Sequence, residues 1–287
     1  MLKLRIPCAA ATSARRVVIS HTLQQCRQLS SRPIVAQFFT TLPNGPQPGA
    51  RLPLEDAHTA HLRSLRAESG DRVRLVADKL QYDCTLQWEK ALAAGKRTQS
   101  QSSAQVEVER VSDVQSEPPI HLTLFQALGK REKMDGVVEH GTEIGVSEFC
   151  PVVTQRTIVR VDDSNGKSGR GADSRVQRLQ RIAETAAEQC RRGAIPTVRA
   201  PQTWASAIAR LPSFDLSLIL HTNELDNAPR VTMRRALTQF RERRFNRDAH
   251  GARVALLVGP EGGFAADEVA VALKATTVGA ANAPVVV

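Results

Sequence analysis

The chain has 287 residues, 41% of them apolar, so it can bury a hydrophobic core, and its length suggests about two domains. No apolar run approaches the roughly 18 residues that a membrane helix needs, which argues against a membrane-spanning protein. The 39 lysines and arginines exceed the 29 acidic residues by 10, a balance typical of proteins that bind nucleic acid, although a basic leader and solvated helix faces would account for part of it.

Residues 1–32 have the composition of a transit peptide. They hold six basic residues and no acidic one, among many serines, threonines and alanines. We therefore predict a mitochondrial protein whose fold starts after this leader. A disordered upstream extension of a cytoplasmic protein is the alternative. The five cysteines contain no Cys-x-x-Cys pair, so the sequence predicts neither a disulfide framework nor a metal site.

Short strands separated by turn residues follow the leader. The strands are predicted at 34–39, 72–77, 82–88 and 105–111, and a helix is predicted at 56–65. Strands of this length and spacing favour a small β-barrel, with the helix lying across it.

The stiff polar run Ser116-Glu117-Pro118-Pro119 marks the best domain boundary. Beyond it, predicted strands alternate with predicted helices, which favours a parallel α/β sheet. The strands are at 120–128, 149–153, 216–220 and 254–258, and the helices at 134–144, 175–191, 231–241 and 265–275. Gly145 is the expected C′ glycine of the first helix. The Gly-, Ser- and Asn-containing run 163–173 is predicted to be a flexible loop.

The last predicted strand breaks on Gly259-Pro260-Glu261-Gly262-Gly263 directly before a helix. Such a turn offers backbone N–H groups at a positive helix start, where a cofactor or an anion can be held. Ligands of parallel sheets bind beyond the carboxyl ends of the strands, so the turns after Leu220 and Val258 are the expected pocket walls. An ordinary strand-turn-helix connection is the alternative. The turn matches neither the dinucleotide pattern Gly-x-Gly-x-x-Gly nor the P-loop pattern.

Several blocks, in order along the chain, resemble the bacterial RsmE family of small-subunit ribosomal RNA uridine N3-methyltransferases, which belongs to the SPOUT superfamily. The blocks are Gly70-Asp71-Arg72-Val73, the basic stretch 130–146 ending in Thr142-Glu143-Ile144-Gly145-Val146, Arg156 counted from Pro151, Ala186-Ala187-Glu188-Gln189 with Arg192 and Ile195-Pro196, and the run 258–264.

The resemblance implies a PUA-like RNA-binding barrel at 33–117 and a knotted SPOUT methyltransferase domain at 118–287. It implies methyl transfer from S-adenosylmethionine to uridine N3 of small-subunit ribosomal RNA by a homodimer that binds no membrane and no metal. The implied cofactor-binding residues are Leu220, His221, Gly259, Pro260, Glu261, Gly262 and Gly263. The implied RNA-binding residues are Lys130, Arg131, Lys133, Arg156 and Arg192, although Arg156 and Arg192 would also suit ordinary salt bridges.

The sequence also departs from the family pattern. His140 stands where a lysine is usual, and Cys190-Arg191 replaces a Ser-Gly pair. After the glycines the family continues into a Leu-Gly-x-Arg-Ile-Leu-Arg segment that supplies its catalytic arginine, and residues 276–287 do not match it. We therefore assign no catalytic residue and expect weak cofactor binding and little methylation from a truncated SPOUT domain. The alternative function is a catalytically degenerate RNA-binding or ribosome-assembly paralogue.

Overall fold

The structure is a computed structural model that describes residues 32–43, 45–89, 103–157, 169–221, 231–244, 251–275 and 285–286. The predicted transit peptide, apart from Arg32, lies outside the described residues, as does the run 276–284. No helix of the described segments combines the length and the apolar character needed to cross a membrane.

The first half of the chain forms a five-stranded sheet in the order β1-β3-β4-β5-β2, in which β1 and β3 are parallel and the remaining pairs are antiparallel. Its elements are β1 (Ile34–Phe39), β2 (Arg51–Pro53), α1 (Asp56–Ser64), β3 (Arg72–Ala77), β4 (Leu80–Glu89) and β5 (Ser103–Asp113). Helix α1 inserts the fully buried Leu62 among the apolar side chains of these strands. This packing explains why an isolated amphipathic helix interrupts a run of strands.

The second half forms a parallel sheet in the order β12-β10-β11-β6-β7-β8, with β9 also pairing with β7. Its strands are β6 (Ile120–Ala127), β7 (Glu148–Val153), β8 (Thr197–Val198), β9 (Gln202–Thr203), β10 (Leu216–Leu220), β11 (Ala252–Val258) and β12 (Val285–Val286). Its helices are α2 (Arg131–Glu143), α3 (Gly169–Gln189), α4 (Trp204–Ala209), α5 (Met233–Arg244) and α6 (Ala266–Lys274). The predicted parallel α/β sheet is confirmed.

Helices cover both faces of this sheet. On one face, α2 and α3 pack on Leu124 and Phe149. On the other, α4 and α6 pack on Phe125 and Leu257. Since successive strand residues point to opposite faces, the continuous apolar runs of these strands follow from burial on both sides.

Two helices start three or more residues earlier than the sequence predicts. Helix α2 starts at Arg131 rather than at residue 134, because the carbonyl of Lys130 already accepts the first helical hydrogen bond, from the Met134 N–H at 3.0 Å. Helix α3 starts at Gly169, so the predicted loop 163–173 is wrong over 169–173, and its other residues lie outside the described ones. The predicted C′ glycine is confirmed, since Gly145 follows α2 with a φ of +101°.

Candidate functional site

Four parallel strands end together at one edge of the second sheet. The register pairs Val258 of β11 with Leu220 of β10 and with Gln126 of β6, and pairs Ala127 with Val152 of β7. The segments that follow these strands therefore share one edge, which brings the predicted cofactor residues together with the basic start of α2. His221, the residue directly after β10, is buried there.

The turn 259–263, called the glycine turn below, needs glycine at two positions. A Cβ on Gly259 would lie 3.2 Å from both the backbone nitrogen and a ring carbon of Phe264. Gly263 has a φ of +69°, and its N–H donates to the Pro260 carbonyl at 2.8 Å. The left-handed backbone of Gly263 and the close approach at Gly259 are both conformations that side chains oppose. The result is a tight turn whose backbone can be approached closely by a ligand.

Buried contacts fix the glycine turn from below. Phe264 is 1% exposed and packs on Trp204, with the ring centroids 4.9 Å apart. Glu268 is also buried, and its carboxylate accepts from the N–H of Ala265 at 2.9 Å and from the N–H of Gln155 at 2.8 Å. The same carboxylate thus caps the start of α6 and ties the segment after β7 to the turn. Glu268 was not among the site residues predicted from the sequence, although an acidic residue three positions after a helix N-cap is a recognisable signal.

Two predicted RNA-binding residues reach the glycine turn from different segments. Lys133 of α2 forms an ion pair with Glu261, with Nζ 2.5 Å from Oε1. Arg156, which follows β7, donates through Nη1 to the Gly262 carbonyl at 2.6 Å. The hydrogen bond from Lys133 holds the pKa of Glu261 below its usual range, so this carboxylate stays ionised at neutral pH. The turn therefore combines exposed backbone with two cations and one carboxylate.

Two more of the five predicted RNA-binding residues, Lys130 and Arg131, lie directly beside this edge. Lys130 is the N-cap residue of α2, and Arg131 is in its first turn. A helix start carries partial positive charge, which adds to that of the side chains. The combination is suited to a negatively charged ligand such as a phosphate backbone.

Arg192 lies in the interior, which argues against the predicted RNA contact. It is 5% exposed. Its guanidinium donates to the Glu117 carboxylate at 2.6 Å and to the carbonyls of Val146 at 2.6 Å and Thr142 at 3.2 Å. The Arg192 carbonyl in turn accepts from Gln37 of β1 at 2.6 Å. Arg192 thus joins the end of α2, the connection between the sheets and the first sheet.

The described residues contain no group of three or more His, Cys, Asp or Glu side chains arranged to hold a metal ion. Glu143, which belongs to a family-like block, is exposed and contacts His140 at 3.3 Å. The glycine turn and the cations bound to it offer two contributions to a reaction. Backbone groups can align a nucleophile with an electrophile, and fixed positive charge can support developing negative charge.

A family model for RNA methyltransferase domains matches residues 116–280. The ribosomal RNA small subunit methyltransferase E of Bacillus subtilis is 27% identical over 153 residues, which are 53% of this chain and 54% of that protein. The Synechocystis protein of the same name is 28% identical over 166 residues, 58% of this chain and 48% of that protein. The matched segment thus spans about half the length of these curated relatives.

Two solved structures are similar over most of the chain. A putative methyltransferase from Legionella pneumophila, in complex with the bound cofactor S-adenosylmethionine, is 25% identical with a TM-score of 0.60, covering 88% of this chain and 89% of that one. A ribosomal RNA small subunit methyltransferase E from Neisseria gonorrhoeae, also bound to S-adenosylmethionine, is 24% identical with a TM-score of 0.61, covering 88% of each chain. These similarities show the fold.

Proposed function

This chain belongs to the family of RNA methyltransferase domains, and from that premise we propose that it transfers a methyl group from S-adenosylmethionine to N3 of a uridine in small-subunit ribosomal RNA. The observation that carries the proposal is the glycine turn at the carboxyl edge of the parallel sheet, with Lys133 and Arg156 bound to it. The names of the related proteins support the substrate class.

The residues at this edge fit the proposed cofactor. Gly263 has a left-handed backbone and no Cβ, and the space that a Cβ would fill there is open, so this side of the turn is bare. Leu220, His221 and the glycine turn would hold the adenosine part against backbone groups. The cofactor supplies an electrophilic methyl group on a sulfonium.

Methyl transfer would break the carbon–sulfur bond of the sulfonium and form a bond between the methyl carbon and N3 of uracil, releasing S-adenosylhomocysteine, while the N3 proton passes to solvent. Loss of that proton leaves negative charge on N3 and the two uracil carbonyls. Among the described residues, Arg156 and Lys133 bind the glycine turn directly, and we assign to them the stabilisation of this charge and the placement of the base. No carboxylate or imidazole of the described site is assigned as the base, since Glu261 is ionised but tied to Lys133.

The RNA would lie along the basic edge and extend over the first sheet. Lys130 and Arg131 would contact its phosphates, and Lys133 and Arg156 would contact the base that is methylated. We propose that the five-stranded sheet is the PUA-like RNA-binding barrel of the family and that the second sheet belongs to the knotted SPOUT domain. The net charge of +10 agrees with a polyanionic partner.

The test is a methyl-transfer assay with the full chain, labelled S-adenosylmethionine and unmodified small-subunit RNA, followed by nucleoside mass spectrometry. The product that we expect is 3-methyluridine, in small amount because residues 276–287 do not match the family's arginine-containing segment. Methylation at another atom would overturn the N3 assignment, and RNA binding without transfer would favour the ribosome-assembly alternative.

Two glycines on either side of β11 provide a matched pair of variants: Gly251 directly precedes the strand, and Gly263 lies in the glycine turn that follows it. Gly263 and Gly251 have φ values of +69° and +85°, and a Cβ on either meets no atom within 4 Å. Gly263→Ala and Gly251→Ala therefore add similar backbone strain. Only Gly263→Ala should weaken cofactor binding measured by calorimetry, and equal effects would show that the glycine turn is not the cofactor site.

We also propose that the protein works as a homodimer in mitochondria. The basic, acid-free segment 1–32 supports the location, and the family resemblance supports the dimer. Import of a fluorescent fusion of residues 1–32 and the mass of the chain in solution test the two points; a cytosolic fusion or a monomer would overturn them.

A further inference from the structure

A cavity of about 430 Å³ opens beside the candidate site, between the start of α2 and residues 174–178 in the second and third turns of α3. Its described lining residues are Leu128, Gly129, Arg131, Met134, Ser174, Arg175 and Arg178. The volume is within the range of about 300–1,000 Å³ that small-molecule sites occupy. Of these residues, only Arg131 was expected at a binding site.

The charge of the cavity is strongly positive. Arg131, Arg175 and Arg178 all line it. Arg178 forms an ion pair with Asp135, which links α3 to α2. Within the described part of the chain, Arg131 and Arg175 have no carboxylate partner. Because α2 follows β6, it starts at the carboxyl edge of the sheet, and its positive end beside Arg131 adds to this field.

The floor of the cavity is apolar. Leu128 is 2% and Met134 is 4% exposed, so the surface that the cavity offers to a ligand comes mainly from its arginines. Arginines suit a flat ring that carries an anionic group, since bases of single-stranded RNA stack on guanidinium planes while their phosphates bind arginine. The positive charge disfavours the cationic sulfonium of the cofactor.

We infer that this cavity binds one nucleotide of single-stranded RNA, next to the nucleotide that is methylated. The base enters the mouth of the cavity above the covered Leu128 and Met134 and stacks on its arginines, and the phosphate is bound by Arg131 and Arg175. The inference rests on the proposed function, because it takes RNA as the substrate. It adds that the strand must be unpaired here, since a base held in a duplex cannot enter the cavity.

The test compares Arg175→Ala with Arg181→Ala in the full chain. Arg181 is exposed on the same helix and lines a different groove, between α2 and α3. The probe is a single-stranded oligonucleotide from small-subunit RNA, and its affinity is measured at several salt concentrations. We expect Arg175→Ala to weaken binding about tenfold, the scale of one charge-assisted hydrogen bond. The slope of log affinity against log salt should fall by about 0.7, as for one lost phosphate contact. Arg181→Ala should stay within about twofold.

Two further readouts separate this inference from the proposed function. Cofactor affinity should be equal in both variants and the unmodified chain, and a 4-thiouridine in the oligonucleotide should crosslink to the segment around Leu128 or Met134. Unchanged binding and slope in Arg175→Ala, or an equal loss in Arg181→Ala, would overturn the nucleotide site. Absence of methyl transfer by the unmodified chain would instead count against the proposed function.

Discussion

Replacing Arg192 with methionine should destabilise the whole chain, because this buried guanidinium holds three segments together. The substitution removes the ion pair with Glu117 and the donors to the carbonyls of Val146 and Thr142. Methionine replaces the unbranched part of the side chain and removes only the guanidinium end, so the effect reports chiefly the lost polar contacts.

The expected loss is about 3 kcal/mol of unfolding free energy. Breaking a buried ion pair by removing one partner costs about 3–5 kcal/mol. The lower end applies here because the Glu117 side chain is 28% exposed and can regain water, and because its Oε1 keeps the N–H of Gly193 at 2.8 Å. At roughly 2–4 °C per kcal/mol for a domain of this size, the midpoint of thermal unfolding should fall by about 6–12 °C.

Thermal and urea unfolding of Arg192→Met, followed by circular dichroism, checks this expectation. Arg181→Met on the exposed face of α3 is the control and should change stability by less than about 0.5 kcal/mol. The double variant Arg192→Met with Glu117→Leu should regain part of the loss, since an apolar pair leaves no buried charge without a partner. A stability of Arg192→Met equal to that of the control would refute the reasoning.

Two other predictions concern buried ionisable groups. Burial raises the pKa of Asp83, but hydrogen bonds from Arg74 and Arg110 outweigh it and hold the pKa below its ordinary value. This stabilisation is present above the unfolded-state pKa of about 4 and is lost as the pH falls through the lower folded-state pKa. The urea midpoints at pH 7 and pH 3 should therefore differ less in Asp83→Asn than in the unmodified chain. An equal difference in the two proteins would contradict this prediction. Burial, with the neighbouring Asp83, raises the pKa of Cys84 to about 12, whereas Cys190 is exposed. Maleimide labelling read by peptide mass spectrometry should modify Cys190 well before Cys84, and equal rates would show that Cys84 is accessible.

Local patterns in the sequence were enough for the main elements. Turn residues between short strand-forming runs predicted four strands of the first sheet. Continuous apolar runs predicted the buried strands of the second, because such a run reflects burial on both faces of a strand. Strands β8, β9 and β12 have two residues each. Such a strand is too short to show a period, so pairing with its neighbour alone defines it.

The glycine turn was also determined locally, since the close approach at Gly259 and the positive φ of Gly263 are properties of the turn itself. The partners of that turn were decided by the tertiary structure. Lys133 and Glu261 are 128 residues apart, and Gln155 and Glu268 are 113 apart. They meet because parallel strands end at one edge, which depends on the strand order rather than on any local pattern.

Arg192 shows most clearly the difference between what the local sequence determines and what the tertiary structure decides. A basic residue after a helix is ordinarily exposed, and the sequence around it favoured a surface contact. The structure buries it because Glu117 and the carbonyls at the end of α2 replace its water, and those partners are 46 to 75 residues away. The sequence by itself determined the longer strands and helices and the glycine turn, whereas the tertiary structure decided which charges face solvent, since burial of a charge depends on partners distant along the chain.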